Sequence, residues 1–151
     1  MNTERENILN ALNTWTRQRP GLEYRNYVTS HSADSAGLAA YRAELRGITR
    51  DLHDFRVLSQ AVALSGITAE QLREGFRAYS GRLTWDGSTL DYITGQYWPT
   101  EYRKAACAVL ASALWDYHRD DIPAETENKG DAIRAKFHRM FGRSIAKRWF
   151  N

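Results

Sequence analysis

At 151 residues and a net charge of +3, the chain is sized for one domain that buries about two thirds of its unfolded surface. Aromatic side chains make up 12% of it and charged ones 26%, which excludes intrinsic disorder and fits a soluble globule. No apolar run approaches the ~20 residues of a membrane span, and the lone Cys107 excludes an internal disulfide, so a cytoplasmic protein that stays off the membrane is expected.

The opening MNTERENILN lacks the basic start and apolar stretch of a secretory signal. Thr3 and Glu6 stand at capping-box spacing, and Ile8, Leu12 and Trp15 then recur on one face until Pro20-Gly21 stops the helix. A second, longer helix is expected to begin near Asp34 or Ser35 and to close at Gly66. Its apolar residues Leu38, Tyr41, Leu45, Ile48, Leu52 and Phe55 alternate in steps of three and four, with Val62 one heptad further on. That spacing keeps a narrow seam facing a neighbouring helix. It serves a monomeric bundle, our first reading, or a homodimer through this helix. Arg42, Arg46, Arg50 and Asp54 fall off the seam, with Arg50–Asp54 expected as a helix-neighbour ion pair.

Thr68 and Gln71 form a second capping box, flanked by Ile67 and Leu72 at the positions of a hydrophobic staple. Leu72, Phe76 and Tyr79 face inward from the helix that follows, and Gly81 is its expected stop. Helical grammar then breaks. Residues 82–92 alternate apolar with polar about Asp86-Gly87, which suits a type I′ turn, so a β-hairpin is expected there. Pro99 opens the next helix, which runs to Arg119. Its small residues Ala105, Ala106, Cys107, Ala108, Ala111 and Ala113 permit close helix approach, so it is the expected central helix. A polar loop over residues 120–130 leads to a last helix from Asp131 to near Trp149, in which Gly142 is a point of division. The fold expected is therefore mainly α, a single domain over residues 1–151, with about five bundled helices and one small hairpin.

Three constellations are candidates for function. Trp85, Tyr92, Tyr97, Trp98 and Tyr102 crowd the hairpin and the following helix start, where rigid aromatic area with polar tips suits partner binding. Their plainer use is to cement the hairpin onto the bundle. The last 21 residues hold six cations against Asp131 alone, which leaves the other 130 residues net negative. Lys136, Arg139, Arg143 and Lys147 cluster on one side of a helical wheel, a stripe suited to nucleic acid, an acidic protein surface or an anionic membrane surface. Cations near a helix C-terminus are also ordinary. The acidic loop residues Asp120, Asp121, Glu125 and Glu127 offer the converse, a phosphate mimic for basic grooves.

Enzyme signatures are missing from the sequence. His31, His53, His118 and His138 are scattered without metal-ligand spacing, and neither a phosphate-cradling glycine loop nor a nucleophile elbow occurs. Cys107 sits in an apolar helix face and reads as a small core residue. No catalytic residue, metal or cofactor is expected. The stretch TGQYWPTEYRKAACAVLASALWDY has the look of a family-defining block. In general character the chain resembles small accessory proteins of phages and mobile elements, anti-CRISPR proteins among them. That resemblance implies a stoichiometric inhibitor docked on a host nucleic-acid-handling complex. The competing readings are a nucleic-acid binder using the C-terminal helix and a small enzyme with an aromatic pocket at the hairpin.

Overall fold

The computed structural model describes residues 3–17, 35–80 and 99–151, and among them the chain is a bundle of six α-helices. These are α1 (Thr3–Arg17), α2 (Ser35–Leu64), α3 (Ala69–Ser80), α4 (Pro99–Arg119), α5 (Lys129–Phe141) and α6 (Arg143–Trp149). The hairpin expected over residues 82–92 lies outside the described residues. Among the described residues no helix is long and apolar enough to cross a membrane.

The bundle is built around α4, which packs against each of the other five helices. Ala105, Ala106, Cys107, Val109, Leu110, Ala113 and Leu114 are fully buried along it. Its alanines are what let so many helices approach. Against α3 the approach is so close that a Cβ built on Gly75 would lie 2.5 Å from the Val109 carbonyl oxygen. Only glycine fits there without a backbone shift.

Against α4, α1 and α3 close an apolar core with Ile8, Leu12, Trp15, Leu72 and Phe76, and Trp15 stacks on Phe76 at 6.1 Å. The α2–α3 corner is held by three devices. Thr68 and Gln71 make the expected capping box: the Gln71 amide donates to Thr68 Oγ1 at 3.2 Å and the Thr68 amide to Gln71 Oε1 at 2.7 Å. Arg5 Nη2 donates to the carbonyls of Val62, Ala63 and Ser65, satisfying acceptors that the end of α2 leaves open. The Gly66 amide donates to the Tyr117 hydroxyl at 3.2 Å, which ties the corner to α4.

From Ile48 onward the heptad seam of α2 faces the chain's own bundle: Ile48, Phe55 and Val62 are buried, and Leu52 is half-buried. Leu45 is 42% exposed, and the side chains of Leu38 and Tyr41 lie outside the described residues. The buried face is turned slightly from the expected one. Leu58 is fully buried on it, and so is Asp51, at 3% exposure.

The last helix is two helices. Gly142 takes φ 83°, its amide donates to the His138 carbonyl at 3.0 Å, and the chain restarts as α6. Phe137, Phe141 and Phe150 stack across this joint, with Phe137 and Phe150 centroids 3.8 Å apart. Trp115 of α4 stacks on Phe137 at 5.9 Å, so the pair α5–α6 is pinned to the central helix by aromatic area.

Candidate functional site

Charge is buried where α2, α4 and α6 meet. Asp51 and Asp54 stand three residues apart on α2 and so project from nearly the same face, 3% and 0% exposed. A buried carboxylate needs partners to offset lost hydration. Asp54 receives three donors. Arg148 Nε reaches its Oδ2 at 2.7 Å, Arg148 Nη2 reaches Oδ1 at 2.8 Å, and Trp149 Nε1 donates to Oδ2 at 3.0 Å. This two-pronged guanidinium–carboxylate pair fixes α6 against α2. Its hydrogen bonds hold Arg148 firmly charged. The sequence-level pairing of Arg50 with Asp54 is thereby corrected: both Asp54 oxygens are taken by Arg148, and Arg50 turns to Asp51.

Asp51 sits between two guanidiniums. Its Oδ1 lies 3.6 Å from Arg50 Nη2 and its Oδ2 lies 3.8 Å from Arg103 Nε. Arg103 is 1% exposed at the start of α4, whereas half of the Arg50 side chain reaches solvent. Burial pushes the Asp51 carboxyl above its ordinary value, against the pull of Arg50, Arg103 and Lys104. Cys107 lies beneath and donates its S–H to the Asp51 carbonyl at 3.6 Å. Burial first, and then the charges of Asp51 and Asp54, push its thiol far up, so it carries no thiolate at neutral pH.

Over this buried centre opens a groove of about 600 Å³ lined by Ala43, Arg46, Gly47, Arg50, Asp51, Arg103 and Lys104. Among the described residues that line it, four are cations and one is an acid. Among the described residues nothing lies within 4 Å of a Cβ built on Gly47, so this part of the groove wall stands open. Arg42, Arg46 and Arg50 repeat every four residues and are exposed, a basic row roughly 12 Å long beside the groove. Two other cavities are less charged. One of about 420 Å³ lies between α4 and the C-terminal segment, over Trp115, Trp149 and Phe150. The other, about 380 Å³, lies between α1 and α2.

The sequence-level candidates are placed as follows. Trp85, Tyr92, Tyr97 and Trp98 lie outside the described residues; Tyr102 is in the first turns of α4, and its side chain is likewise outside them. Lys136 and Arg139 belong to α5, whereas Arg143 and Lys147 belong to α6, beyond the Gly142 joint. A wheel drawn for one continuous helix therefore does not describe them, because the positive φ at Gly142 ends one hydrogen-bond ladder and starts another. Lys136 is also engaged: its Nζ bonds Asp121 Oδ2 at 2.8 Å, and His118 Nδ1 meets the same oxygen at 3.2 Å. These two bonds lower the Asp121 carboxyl, a surface ion cluster that ties the loop to α5. Among the described residues no three His, Cys, Asp or Glu are grouped to hold a metal ion.

Asp51, Arg103 and Arg148 are not singled out by the sequence, and Asp54 stands out there only as an off-seam partner of Arg50. A signal for two of them exists. Ile48, Asp51, Phe55, Leu58 and Val62 step by 3, 4, 3 and 4, and Arg103, Ala106, Leu110, Ala113 and Tyr117 do the same on α4. Each series carries a single charge, of opposite sign, at a core position. Comparison with protein-family models, with curated proteins and with solved structures finds no match.

Proposed function

We propose that the chain is a non-enzymatic binding protein that grips the phosphate backbone of a nucleic acid in the α2–α4 groove. The observation that carries this reading is the lining itself: Arg46, Arg50 and Lys104 converge on one open groove, and among the described lining residues the one acid, Asp51, is buried beneath them together with Arg103. Phosphate contacts by Lys and Arg supply most non-specific affinity for nucleic acid and make it fall steeply with salt. Guanidiniums suit this task because their planar fork matches two phosphate oxygens at once. Arg42 extends the basic row at one end of the groove.

The experiment is fluorescence anisotropy of labelled single- and double-stranded oligonucleotides over a potassium chloride series. Arg46→Ala, Arg50→Ala and Lys104→Ala combined are expected to weaken binding at least tenfold at low salt and to reduce the salt slope by about 1 per lost contact. Unchanged affinity in the triple variant removes the reading.

A second reading is favoured by the loop between α4 and α5, where Asp120, Glu125 and Glu127 are exposed. Such a surface suits an inhibitor of the anti-CRISPR kind that docks on a host nucleic-acid-handling complex. Its support is narrower, because the fourth acid, Asp121, is already paired with Lys136. Capture of one stoichiometric protein partner that survives nuclease treatment, and its loss on reversing Asp120, Glu125 and Glu127, would move this reading ahead.

A further inference from the structure

We propose that the cleft between α4 and the C-terminal segment takes one unstacked base of a single nucleic-acid strand, so that the chain binds single strands in preference to duplex. The inference rests on the phosphate-binding reading above and names the kind of strand that the groove receives. Its starting point is the register of α4. Lys104 lines the groove, whereas Ala108, Ala111 and Trp115 line the cleft. Those four residues step by 4, 3 and 4, so they share one face of the helix over roughly 16 Å. Lys104 and Ala108 are a single turn apart, about 6 Å. A strand whose phosphates meet Arg46, Arg50 and Lys104 has the cleft within reach of its next few nucleotides, which rise roughly 3.4 Å each when stacked.

The cleft has the size and lining that a base requires. Its volume of about 420 Å³ falls among ligand sites, which run from roughly 300 to 1,000 Å³. Among the described residues, the small side chains of Ala108, Ala111 and Ser112 share its lining with two indoles, Trp115 and Trp149. Trp15 is 1% exposed in the core, but these two indoles are only half-buried. Both are also held in place. Trp115 stacks on Phe137, and the Trp149 N–H donates to Asp54 at 3.0 Å. A ring already fixed loses little freedom when a base stacks on it. Arg134, itself bonded to Asp131 at 2.6 Å, sets a guanidinium 5.9 Å from the Trp115 ring centre, and bases stack on such planes as well. Ser112 and Asp116 bring a hydroxyl and a carboxylate to the same cleft, groups that hydrogen-bond the amino and ring N–H edges of bases. The Asp116 carboxylate repels a phosphate, so this end of the face suits the base and the groove suits the backbone.

Base stacking and simple charge predict opposite preferences. A paired base enters the cleft only by leaving its stack, a cost that an unpaired strand does not bear. Charge alone favours duplex, which carries twice the phosphates per unit length. Three variants separate the two. Ser112→Leu puts a branched side chain into the cleft at a half-buried position and touches neither a charge nor an indole. Trp149→Leu and Trp149→Phe both lose the bond to Asp54, so they differ in whether a ring remains for the base.

The measurement is anisotropy of a fluorescein-labelled 20-nucleotide DNA, single-stranded and duplex, on the full chain, with thermal melts of each variant. The wild-type chain is expected to bind the single strand about tenfold more tightly than the duplex, a factor within what one base stacked on an aromatic ring supplies. Ser112→Leu should abolish that preference by weakening the single strand alone. Trp149→Leu should do the same, and Trp149→Phe should keep most of the preference. Equal or tighter binding of duplex by the wild-type chain, or an unchanged preference in Ser112→Leu, overturns the proposal. If Ser112→Leu does not fold, the Trp149 pair decides, and equal preferences in Leu and Phe overturn it. Loss of both DNAs in the Arg46, Arg50 and Lys104 triple variant, beside a wild-type chain with no strand preference, leaves the groove reading standing and this inference fallen. Failure of the wild-type chain to bind either DNA brings down both.

Discussion

The two halves of α2 present their inner face to different surroundings. Toward the C-terminus, Phe55, Leu58 and Val62 join Ile8, Leu12, Trp15, Leu72 and Phe76 in an apolar core. One turn before Phe55 the same face carries Asp51 in place of an apolar residue, with Asp54 close by, and the neighbours become Arg103, Arg148 and Cys107. The first half needs only shape and hydrophobicity. The second half encloses charge, which burial penalises unless every oxygen is partnered. The difference separates two kinds of burial: the apolar half packs the core, and the charged half lies beneath the groove lined by Arg46, Arg50 and Lys104.

Breaking the apolar half should have the largest effect on stability and the least on binding. Phe76→Ala removes a fully buried ring stacked on Trp15 and should cost about 3–5 kcal/mol in denaturant unfolding. The folded fraction that remains should bind DNA with wild-type affinity. A loss of binding beyond the loss of folded protein would mean that the two halves are not separable.

Arg148→Ala tests the closed pair. It strands Asp54, which is 0% exposed, with Trp149 as its remaining side-chain donor. The cost should be about 2–4 kcal/mol, below the full value for a buried pair because the Arg148 side chain is 29% exposed. Asp54→Ala in the same background should recover part of that loss, since the stranded charge is then gone. Chemical denaturation of the four proteins of this cycle gives the coupling; additive losses would show that Arg148 and Asp54 do not act as a pair.

The smallest effect on stability belongs to Asp51→Asn. The folded-state carboxyl titrates above its ordinary 3.8, so ionised Asp51 lowers stability at neutral pH. The Asn variant should therefore melt at or above the wild-type temperature at pH 7. As pH falls toward 3.8 the folded wild type takes up its proton first, and the gap should close. A gap that widens on acidification would mean that Asp51 stabilises the fold as an anion.

Much of this architecture was readable in the residues, and the unreadable part has a physical reason. The Thr68–Gln71 box, the small residues of α4 and the extent of α2 follow from local chemistry that tertiary packing does not override. The charged centre does not, because a periodicity argument looks for apolar residues and steps around acids. The seam was drawn through Leu52, which is half-buried, instead of Asp51, which is buried. Opposite single charges in matching steps on α2 and α4 were the available clue. Gly142 was visible as a point of division, but the direction of α6 depends on its positive φ and on Asp54, 94 residues away from Arg148. The proposed basic site accordingly lies in a groove between α2 and α4 and not on a stripe of the last helix.

The central claim is that the α2–α4 groove holds phosphates, and DNA binding across a salt series tests it most directly. The account predicts that the wild-type chain binds with a steep negative dependence on salt, and that replacing Arg46, Arg50 and Lys104 by alanine flattens that slope by about 3 while the melting temperature stays near wild type. A triple variant that binds with the wild-type slope and affinity would contradict it.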